Sequence, residues 1–356
     1  MINVIGSFFD TSGYASHTRS LANALAKVTD VKLTTNLPAG WERLVNDAEL
    51  KMVKNVEDYK TNLIITNPLF WSMNAYAETN IAFLIWEGDK VPQWILQECL
   101  NERIHHILVV SEHTKQAVEN SYSGMLKEDR DRISNKISLA PHGVNTEDFY
   151  PTETKRDKFT FFANKGLRNL EDRGGIQYLV KAYLEEFDGS DTELIIKINP
   201  AYGIPNLAEL FPKSVGRLDV KFNIENLDKK ELNKLYNNSD VFVSPTRAEA
   251  FNLPCLEALS CGKPVITTNF GGQTDFCTEE TGWIIGGELK EVEHELEYEG
   301  VKWLTPSIDE LKEAMRTASK NQNDYSYDCI QTAKEYSWDK TAKIINKLTN
   351  PNAYIL

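Results

Sequence analysis

Two glutamates in the second half of the chain flank a predicted helix start that suits an anion. Glu249 and Glu257 have seven residues between them, with Pro254 in the interval and Gly262 following. Proline suits the first turn of a helix and glycine its end, so we expect a short helix over about 254–261. The N–H groups at its start would bind a diphosphate. Carboxylates repel phosphate, so the glutamates would bind sugar and ribose hydroxyls. The alternative is that they are only a helix cap and a solvated helix residue.

Metal and disulfide chemistry find little support in the sequence. The pair Asp129 and Asp131 lies in a charged run rather than at the end of a buried strand, so we expect no metal site there. The five cysteines are scattered without CxxC spacing, and the six histidines form no HExxH motif. Neither a disulfide framework nor a zinc site is indicated.

Short apolar runs alternate with helical periodicity along the chain and indicate parallel α/β sheets. The candidate strands are residues 3–5, 63–65, 81–85, 107–110, 159–162, 194–198, 240–243 and 264–267. The candidate helices in the second half lie near 176–187, 228–238 and 254–261. The charged, turn-rich stretch 145–158 separates two such series, so we expect two doubly wound units divided between 150 and 151. Ligands of open α/β sheets bind at the carboxyl ends of strands, which would place the functional site in a cleft between facing domains.

Composition supports a folded, two-domain protein. The chain has 356 residues, of which 41% are hydrophobic, and 39 basic against 52 acidic residues give a net charge of −13. A single core rarely serves more than about 250–300 residues. The negative charge disfavours nucleic acid and anionic lipid as partners. With no apolar run near 20 residues and no signal-peptide pattern at the start, we expect a cytoplasmic protein without stable membrane insertion.

The sequence resembles a known enzyme family in several phrases that occur in the expected order. Residues 244–268, with Glu249 and Glu257, reproduce the E-x7-E motif of retaining GT-B glycosyltransferases and resemble family 4, the glycosyl transferases group 1. Residues 140–151 are similar to the interdomain phrase of that family, and 268–275 to its glycine loop. The resemblance implies two Rossmann-like domains facing across a deep cleft. Residues 1–150 would form the acceptor-side domain, with a C-terminal helix at about 338–356 crossing back to it, and 151–337 the donor domain.

The resemblance also implies roles for individual residues around the motif. Glu257 would hold the ribose hydroxyls of a nucleotide-sugar donor, and Glu249, as a catalytic residue, the hydroxyls of the transferred sugar. The remaining donor contacts in this segment would come from Thr246, Phe251, Asn252 and Leu253. Asn252 departs from the glycine usual in the family.

The family places a basic pair after the first strand of the second domain, where it neutralises the departing diphosphate. In this chain Lys165 and Arg173 offer such a pair, and Arg168 competes with Lys165 for the first role. Their order and spacing depart from the family pattern, but an arginine forks onto phosphate oxygens while a lysine acts as a point charge, so the charge chemistry is kept. A solvated surface loop is the alternative.

The first domain contributes residues that the resemblance places near donor phosphate and acceptor. Gly13 would give backbone access to the donor, and Asp10 or Tyr14 would touch the acceptor. Glu87 follows a predicted strand and would orient an acceptor hydroxyl or sense its proton, with helix capping as the alternative. His142 is assigned to the acceptor side, although a packed structural histidine is the more common case.

The resemblance implies a retaining, metal-independent transferase that moves a sugar from a nucleoside-diphosphate sugar to an acceptor hydroxyl without a further cofactor. A glycan or lipid-linked glycan is the expected acceptor. Three alternatives stay open: a non-catalytic nucleotide- or sugar-binding protein of this fold, a transferase acting on hydroxylated bases of viral DNA, and a nucleotide-dependent oxidoreductase or epimerase. The sequence lacks the GxGxxG motif that an oxidoreductase or epimerase of this kind would use to bind a dinucleotide.

Overall fold

The chain forms two compact units. In the computed structural model, the described residues are 1–10, 12–35, 47–53, 58–167, 172–200, 203, 206–293, 298–321 and 324–349. Unit 1 consists of Met1–Gly143, Glu297–Val301 and Ser337–Leu356. Unit 2 consists of Val144–Leu296 and Lys302–Tyr336. The first division between the units falls after Gly143, seven residues before the predicted boundary.

Unit 1 is built on a six-stranded parallel sheet. Its strands are β1 (Ile2–Gly6), β2 (Val31–Thr34), β3 (Thr61–Ile65), β4 (Thr79–Leu84), β5 (His106–Val109) and β6 (Ile137–Leu139), in the order β2-β1-β3-β4-β5-β6. Its first helices are α1 (Gly13–Leu25), α2 (Asp47–Leu50), α3 (Trp71–Asn74), α4 (Gln93–Leu100), α5 (Glu112–Asn120) and α6 (Lys127–Lys136). Every residue of β1 and β3 is buried, as continuous apolar strands of a parallel sheet require.

Unit 2 repeats this architecture. Its sheet contains β7 (Phe159–Lys165), β8 (Thr192–Ile198), β9 (Val220–Asn223), β10 (Val241–Ser244), β11 (Val265–Thr268) and β12 (Gly282–Ile285), in the order β12-β11-β10-β7-β8-β9. The strand pairs of this sheet are parallel. A separate antiparallel hairpin pairs β13 (Gly287–Glu291) with β14 (Lys302–Pro306). The two parallel six-stranded sheets confirm the predicted α/β class.

The described residues of unit 2 form six α-helices. They are α7 (Ile176–Glu186), α8 (Leu207–Leu210), α9 (Lys229–Asn237), α10 (Leu253–Ser260), α11 (Ile308–Lys320) and α12 (Ser326–Glu335). The helices predicted near 176–187, 228–238 and 254–261 are thereby confirmed. The apolar faces of α7 and α11 pack on one face of the sheet, in a core that includes Phe161, Leu194, Ile196 and Met315.

The last helix, α13 (Trp338–Thr349), returns to unit 1 and packs against α1. Thr341 Oγ1 donates a hydrogen bond to the Pro141 carbonyl, and Lys27 pairs with Asp339 at 2.8 Å. Gly143 is required at this contact, because a Cβ there would lie 2.0 Å from the backbone nitrogen of Trp338. No helix in the described part of the chain is long and apolar enough to cross a bilayer.

Candidate functional site

The carboxyl end of β7 carries a buried lysine that joins two residues of the β10–α10 connection. Lys165 is 5% exposed. Its Nζ donates to Glu249 Oε1 at 2.9 Å and to Asn252 Oδ1 at 2.8 Å. The structure therefore brings together three residues that the sequence analysis assigned to the donor site, and Lys165 precedes the other two by 84 and 87 positions.

Asn252 explains how this segment folds without the glycine usual in the family. Its backbone lies in the left-handed region, with φ 73° and ψ 62°, immediately before α10. Asparagine visits this region more readily than most residues with a side chain. Its amide is held on both sides, because Nδ2 donates to Ser244 Oγ at 3.0 Å while Oδ1 accepts from Lys165. The substitution keeps the left-handed turn and adds a link to the lysine.

Two glycines pack directly against the backbone around Glu249. A Cβ on Gly272 would lie 1.9 Å from the Ala250 carbonyl oxygen, and the Gly272 N–H donates to the Glu249 carbonyl at 2.8 Å. Gly175 has φ +77°, and a Cβ there would lie 1.9 Å from the Pro245 carbonyl oxygen. The glycine loop after β11 and the turn before α7 thus fix the Glu249 segment from two directions.

The charge state of Glu249 follows from its neighbours. Its side chain is 19% exposed. Burial would raise the pKa of Glu249, but the charges of Lys165 and Arg173 outweigh that effect and hold the pKa below its usual range. Hydrogen bonds from Lys165 and Thr246 act in the same direction. Glu249 is therefore a carboxylate at neutral pH, ready to accept hydrogen bonds from hydroxyl groups.

Glu257 lies one helical turn inside α10 and has a different environment. Tyr236 of α9 donates to Glu257 Oε2 at 2.7 Å, and Asn164 Nδ2 donates to the Tyr236 hydroxyl at 3.3 Å. Burial raises the pKa of Glu257 to about 7, although the hydrogen bond from Tyr236 opposes the rise. The two glutamates of the motif thus titrate in separate ranges.

The other predicted donor residues lie around this cluster, with one exception. Thr246 is buried, and its Oγ1 donates to the Arg173 carbonyl at 3.0 Å. Arg173 has an exposed side chain whose charge reaches Glu249. Phe251 is buried against Phe276, with ring centroids 5.0 Å apart. Leu253 begins α10. Arg168 lies outside the described residues.

In unit 1, the predicted loop after β1 leads into the start of α1. Asp10 Oδ1 accepts from the Ser12 N–H at 2.7 Å, and Ser12 caps the helix by accepting from the Ala15 N–H at 3.2 Å. Gly13 is exposed, and a Cβ on it would meet nothing within 4 Å. Tyr14 follows in the first turn of α1. The acceptor and donor roles assigned to these residues stay predictions.

Glu87 is buried after β4 and is bonded within unit 1. The Tyr298 hydroxyl donates to Glu87 Oε1 at 2.8 Å, and the Tyr298 ring stacks on Trp86 with centroids 5.0 Å apart. Helix α4 begins after Pro92 without a cap from the Pro92 side chain, and Ser111 caps α5, so capping by Glu87 stays an alternative. The acceptor role assigned to Glu87 stays a prediction.

His142 packs inside unit 1. Its ring lies 4.2 Å from that of His17 and 5.3 Å from that of Trp338. Burial lowers the pKa of His142 to about 3, so the imidazole is neutral at any physiological pH. This packing fits the structural alternative named in the sequence analysis.

Comparison with known proteins places part of unit 2 in a family. Residues 217–336 match the model of the family described as glycosyl transferases group 1. Unit 2 contains a glycosyl transferases group 1 domain. This group 1 domain includes Glu249, Glu257, Asn252 and Tyr236, whereas Lys165 precedes it in the chain.

Relatives of the group 1 domain extend the likeness over more of the chain. Over 238 residues the chain is 26% identical to a probable sucrose-phosphate synthase from Thermosipho melanesiensis. This match covers 65% of this chain and 50% of that protein. Over 222 residues it is 24% identical to a D-inositol 3-phosphate glycosyltransferase from Paenarthrobacter aurescens, covering 59% and 50%. The chain spans about half the length of the curated relatives it matches.

Solved structures show the fold over nearly the whole chain. A glycosyltransferase from Rickettsia africae has a TM-score of 0.71 at 14% identity, covering 100% of this chain and 99% of its own. A sucrose-phosphate synthase from Thermosynechococcus elongatus has a TM-score of 0.70 at 17% identity, covering 98% of both chains. The predicted GT-B fold is confirmed.

Several residues of the site escaped the sequence analysis. Tyr236 and Asn164 carry no motif of their own, and their link to Glu257 arises only where α9 and β7 meet. Gly174 and Gly175 are visible in the sequence as a pair, and such a pair is a signal for a close backbone approach.

Proposed function

We propose that the protein is a retaining, metal-independent glycosyltransferase that moves a sugar from a nucleoside-diphosphate sugar to an acceptor hydroxyl. No cofactor beyond the donor enters this proposal. The observation that carries it is the bonding of Lys165 to both Glu249 and Asn252 at the start of α10. This arrangement combines a cation, a carboxylate and a helix N-terminus, which are the groups needed for a diphosphate joined to a sugar.

The proposed division of labour follows from charge. Lys165 and Arg173 stabilise the negative charge that develops on the diphosphate as the sugar departs, and the start of α10 adds its N–H groups. Glu249, held ionised, accepts hydrogen bonds from hydroxyls of the transferred sugar. Glu257 accepts them from the ribose.

A direct front-face transfer is the proposed route. In that route the bond from the sugar to the diphosphate oxygen breaks as the bond to the acceptor oxygen forms on the same face, and a phosphate oxygen of the leaving group takes the acceptor proton. Glu249 is not proposed as a nucleophile, because its Oε1 is bonded to Lys165. Among the described residues, no group of three or more His, Cys, Asp or Glu side chains is arranged to hold a metal ion.

The first experiment measures binding and turnover separately. Thermal stability is recorded with UDP, GDP, ADP and TDP, because a ligand that binds the folded state raises the melting temperature. Donor consumption is then measured with the matching nucleotide sugars. Glu249→Gln should keep nucleotide binding and slow transfer by at least about 100-fold, as expected when an interaction with the reacting sugar is lost.

The matched control is Glu313→Gln, an exposed glutamate on α11 that pairs with Arg316. It should behave as wild type in both assays. Stabilisation by a diphosphate without any transfer or hydrolysis would favour the non-catalytic binding protein. Stabilisation by no nucleotide would refute the proposal.

A further inference from the structure

The carboxyl end of the unit 2 sheet holds a second buried lysine that the proposed chemistry leaves unused. Lys197 in β8 is 5% exposed, and its Nζ donates to the Ile198 carbonyl at 2.8 Å. An ammonium group has three N–H donors, and within the described part of the chain this is the single acceptor bonded to them. A buried cation with donors to spare is costly unless a ligand supplies further acceptors.

The register of the sheet places Lys197 beside the residues that hold Glu257. Lys197 pairs with Asn164 of β7 on one side and with Asn223 of β9 on the other, so the three share one face. Asn164 donates to Tyr236, which donates to Glu257. Neighbouring strands are about 4.8 Å apart, so Lys197 lies one strand beyond the link to the proposed ribose site.

The strand order arranges these groups in a row. From β11 through β10 and β7 to β8, the strand ends carry the glycine loop at 268–275, then Glu249, then Lys165 and Asn164 on opposite faces of β7, and then Lys197 on the face of Asn164. A nucleoside-diphosphate sugar is itself a row of sugar, diphosphate, ribose and base. With sugar and diphosphate proposed at Glu249 and Lys165, the base would lie toward β8.

We propose that Lys197 donates a hydrogen bond to a carbonyl oxygen of the donor's nucleobase, and that it selects uracil, thymine or guanine over adenine. This inference rests on the proposed function, since it takes the ribose to lie at Glu257. Guanine at O6 and uracil or thymine at O4 present an acceptor, whereas adenine presents an amino group at N6, which only donates and cannot pair with an ammonium. An unmet buried donor is a strong means of rejecting the wrong ligand.

Calorimetric binding of UDP, TDP, GDP and ADP tests this selection. Wild type should bind at least one carbonyl-bearing diphosphate about tenfold or more tightly than ADP, as one hydrogen bond to a buried charge allows. Lys197→Met, which keeps the length of the side chain, should reduce that ratio to within about threefold. Lys197→Gln keeps a donor and should retain part of the preference.

The control is Lys221→Met, because Lys221 lies in the neighbouring strand β9, is half exposed and pairs with Glu193. It should leave the ratio unchanged. Equal weakening of all four diphosphates by Lys197→Met would indicate a phosphate or packing role and overturn the inference, as would a wild-type preference for ADP. Both results leave the proposed transferase standing, whereas binding of none of the four contradicts the inference and the proposed function together. If Lys197→Met does not fold, as judged by circular dichroism, the ratio measured with Lys197→Gln decides. A ratio below that of wild type supports the inference, and an unchanged ratio overturns it.

Discussion

At the scale of single residues, Asn252 combines two functions that are usually separate. Its backbone adopts the left-handed turn before α10, and its amide connects Lys165 to Ser244. A glycine would supply the turn but not the acceptor for the lysine. The side chain therefore orients Lys165 where the proposed diphosphate would lie.

We expect Asn252→Gly to keep the fold and to slow transfer. The left-handed backbone suits glycine, which offsets part of the cost of losing the bonds to Lys165 and Ser244, so the melting temperature should fall only modestly. Loss of the acceptor for Lys165 should reduce kcat by about tenfold, in line with one hydrogen bond to a charged group. Steady-state kinetics with the donor identified by binding check this, and unchanged kcat would show that Glu249 alone positions the lysine.

The raised pKa of Glu257 makes a prediction about stability. Its pKa is about 7 in the folded protein, against about 4.3 for an unperturbed glutamate. Between these values the folded state binds more protons than the unfolded state, so this group's contribution to stability falls as pH rises from about 4 to 7 and stays low above 7.

Glu257→Gln removes that charge. The variant should melt about 5 °C or more above wild type at pH 8 and at the same temperature as wild type near pH 4. It should also bind nucleoside diphosphates more weakly. Melting curves across this pH range provide the measurement, and a difference independent of pH would mean that Glu257 does not titrate as its surroundings indicate.

At the scale of elements, the glycine loop after β11 packs directly against the segment that carries Glu249. Gly272 leaves no space for a side chain, since a Cβ placed on it would lie within 2.8 Å of both the Ala250 carbonyl and the Phe251 backbone. Any added atom there has to displace the backbone that carries Glu249.

Gly272→Ala should therefore lower both stability and activity. Forcing a methyl group into packed backbone costs about 1–3 kcal/mol, and the displaced Glu249 should reduce transfer. Gly13→Ala is the stability control, because its Cβ would meet nothing within 4 Å. Urea unfolding of both variants provides the measurement. Equal urea midpoints for Gly272→Ala and Gly13→Ala would show that the glycine loop accommodates a methyl group without loss of stability.

The elements also show which parts of the fold a sequence can predict. All the candidate strands lie at interior positions of the two parallel sheets, where both faces are covered and the residues form continuous apolar runs. The four strands of these sheets that were missed, β2, β6, β9 and β12, are their edges. Lys32 and Lys221 interrupt β2 and β9, and β6 has only three residues, so these three carry no such run. The fourth, β12, does carry an apolar run at 283–285, which the list of candidate strands omitted.

The candidate site divides in a similar way. Glu249, Lys165 and Asn252 were found because each belongs to a phrase that resembles the family. Tyr236 and Lys197 were not found, since a tyrosine in a helix and a lysine in a strand are ordinary residues until the register and the packing of α9 place them. Side-chain proximity across the sheet is a property of the tertiary structure.

At the scale of the whole molecule, the net charge of −13 bears on the choice of acceptor. Binding to DNA depends on neutralising phosphates, and the affinity falls steeply as salt rises. An excess of 13 acidic residues opposes that contact, and the alternative of hydroxylated DNA bases as acceptor is disfavoured accordingly.

We expect no measurable binding to duplex DNA at about 0.15 M salt. Fluorescence anisotropy with a labelled duplex, with and without a nucleoside diphosphate, provides the test. A basic DNA-binding protein measured in the same buffer is the positive control. Saturable binding whose affinity falls with added salt would restore the DNA alternative.

The path of the chain between the units limits how such a protein can exchange parts with its relatives. Unit 1 is assembled from three stretches, and the chain passes from one unit to the other four times. A recombinant made by a single crossover near residue 143 would take α13 and Tyr298 from the other parent. Trp338 would then contact a His17 from a different parent, and Tyr298 a Trp86 from a different parent. Functional chimaeras should therefore arise by inserting the stretch from Val144 to Tyr336 as a cassette, with its short return at 297–301 taken from the recipient.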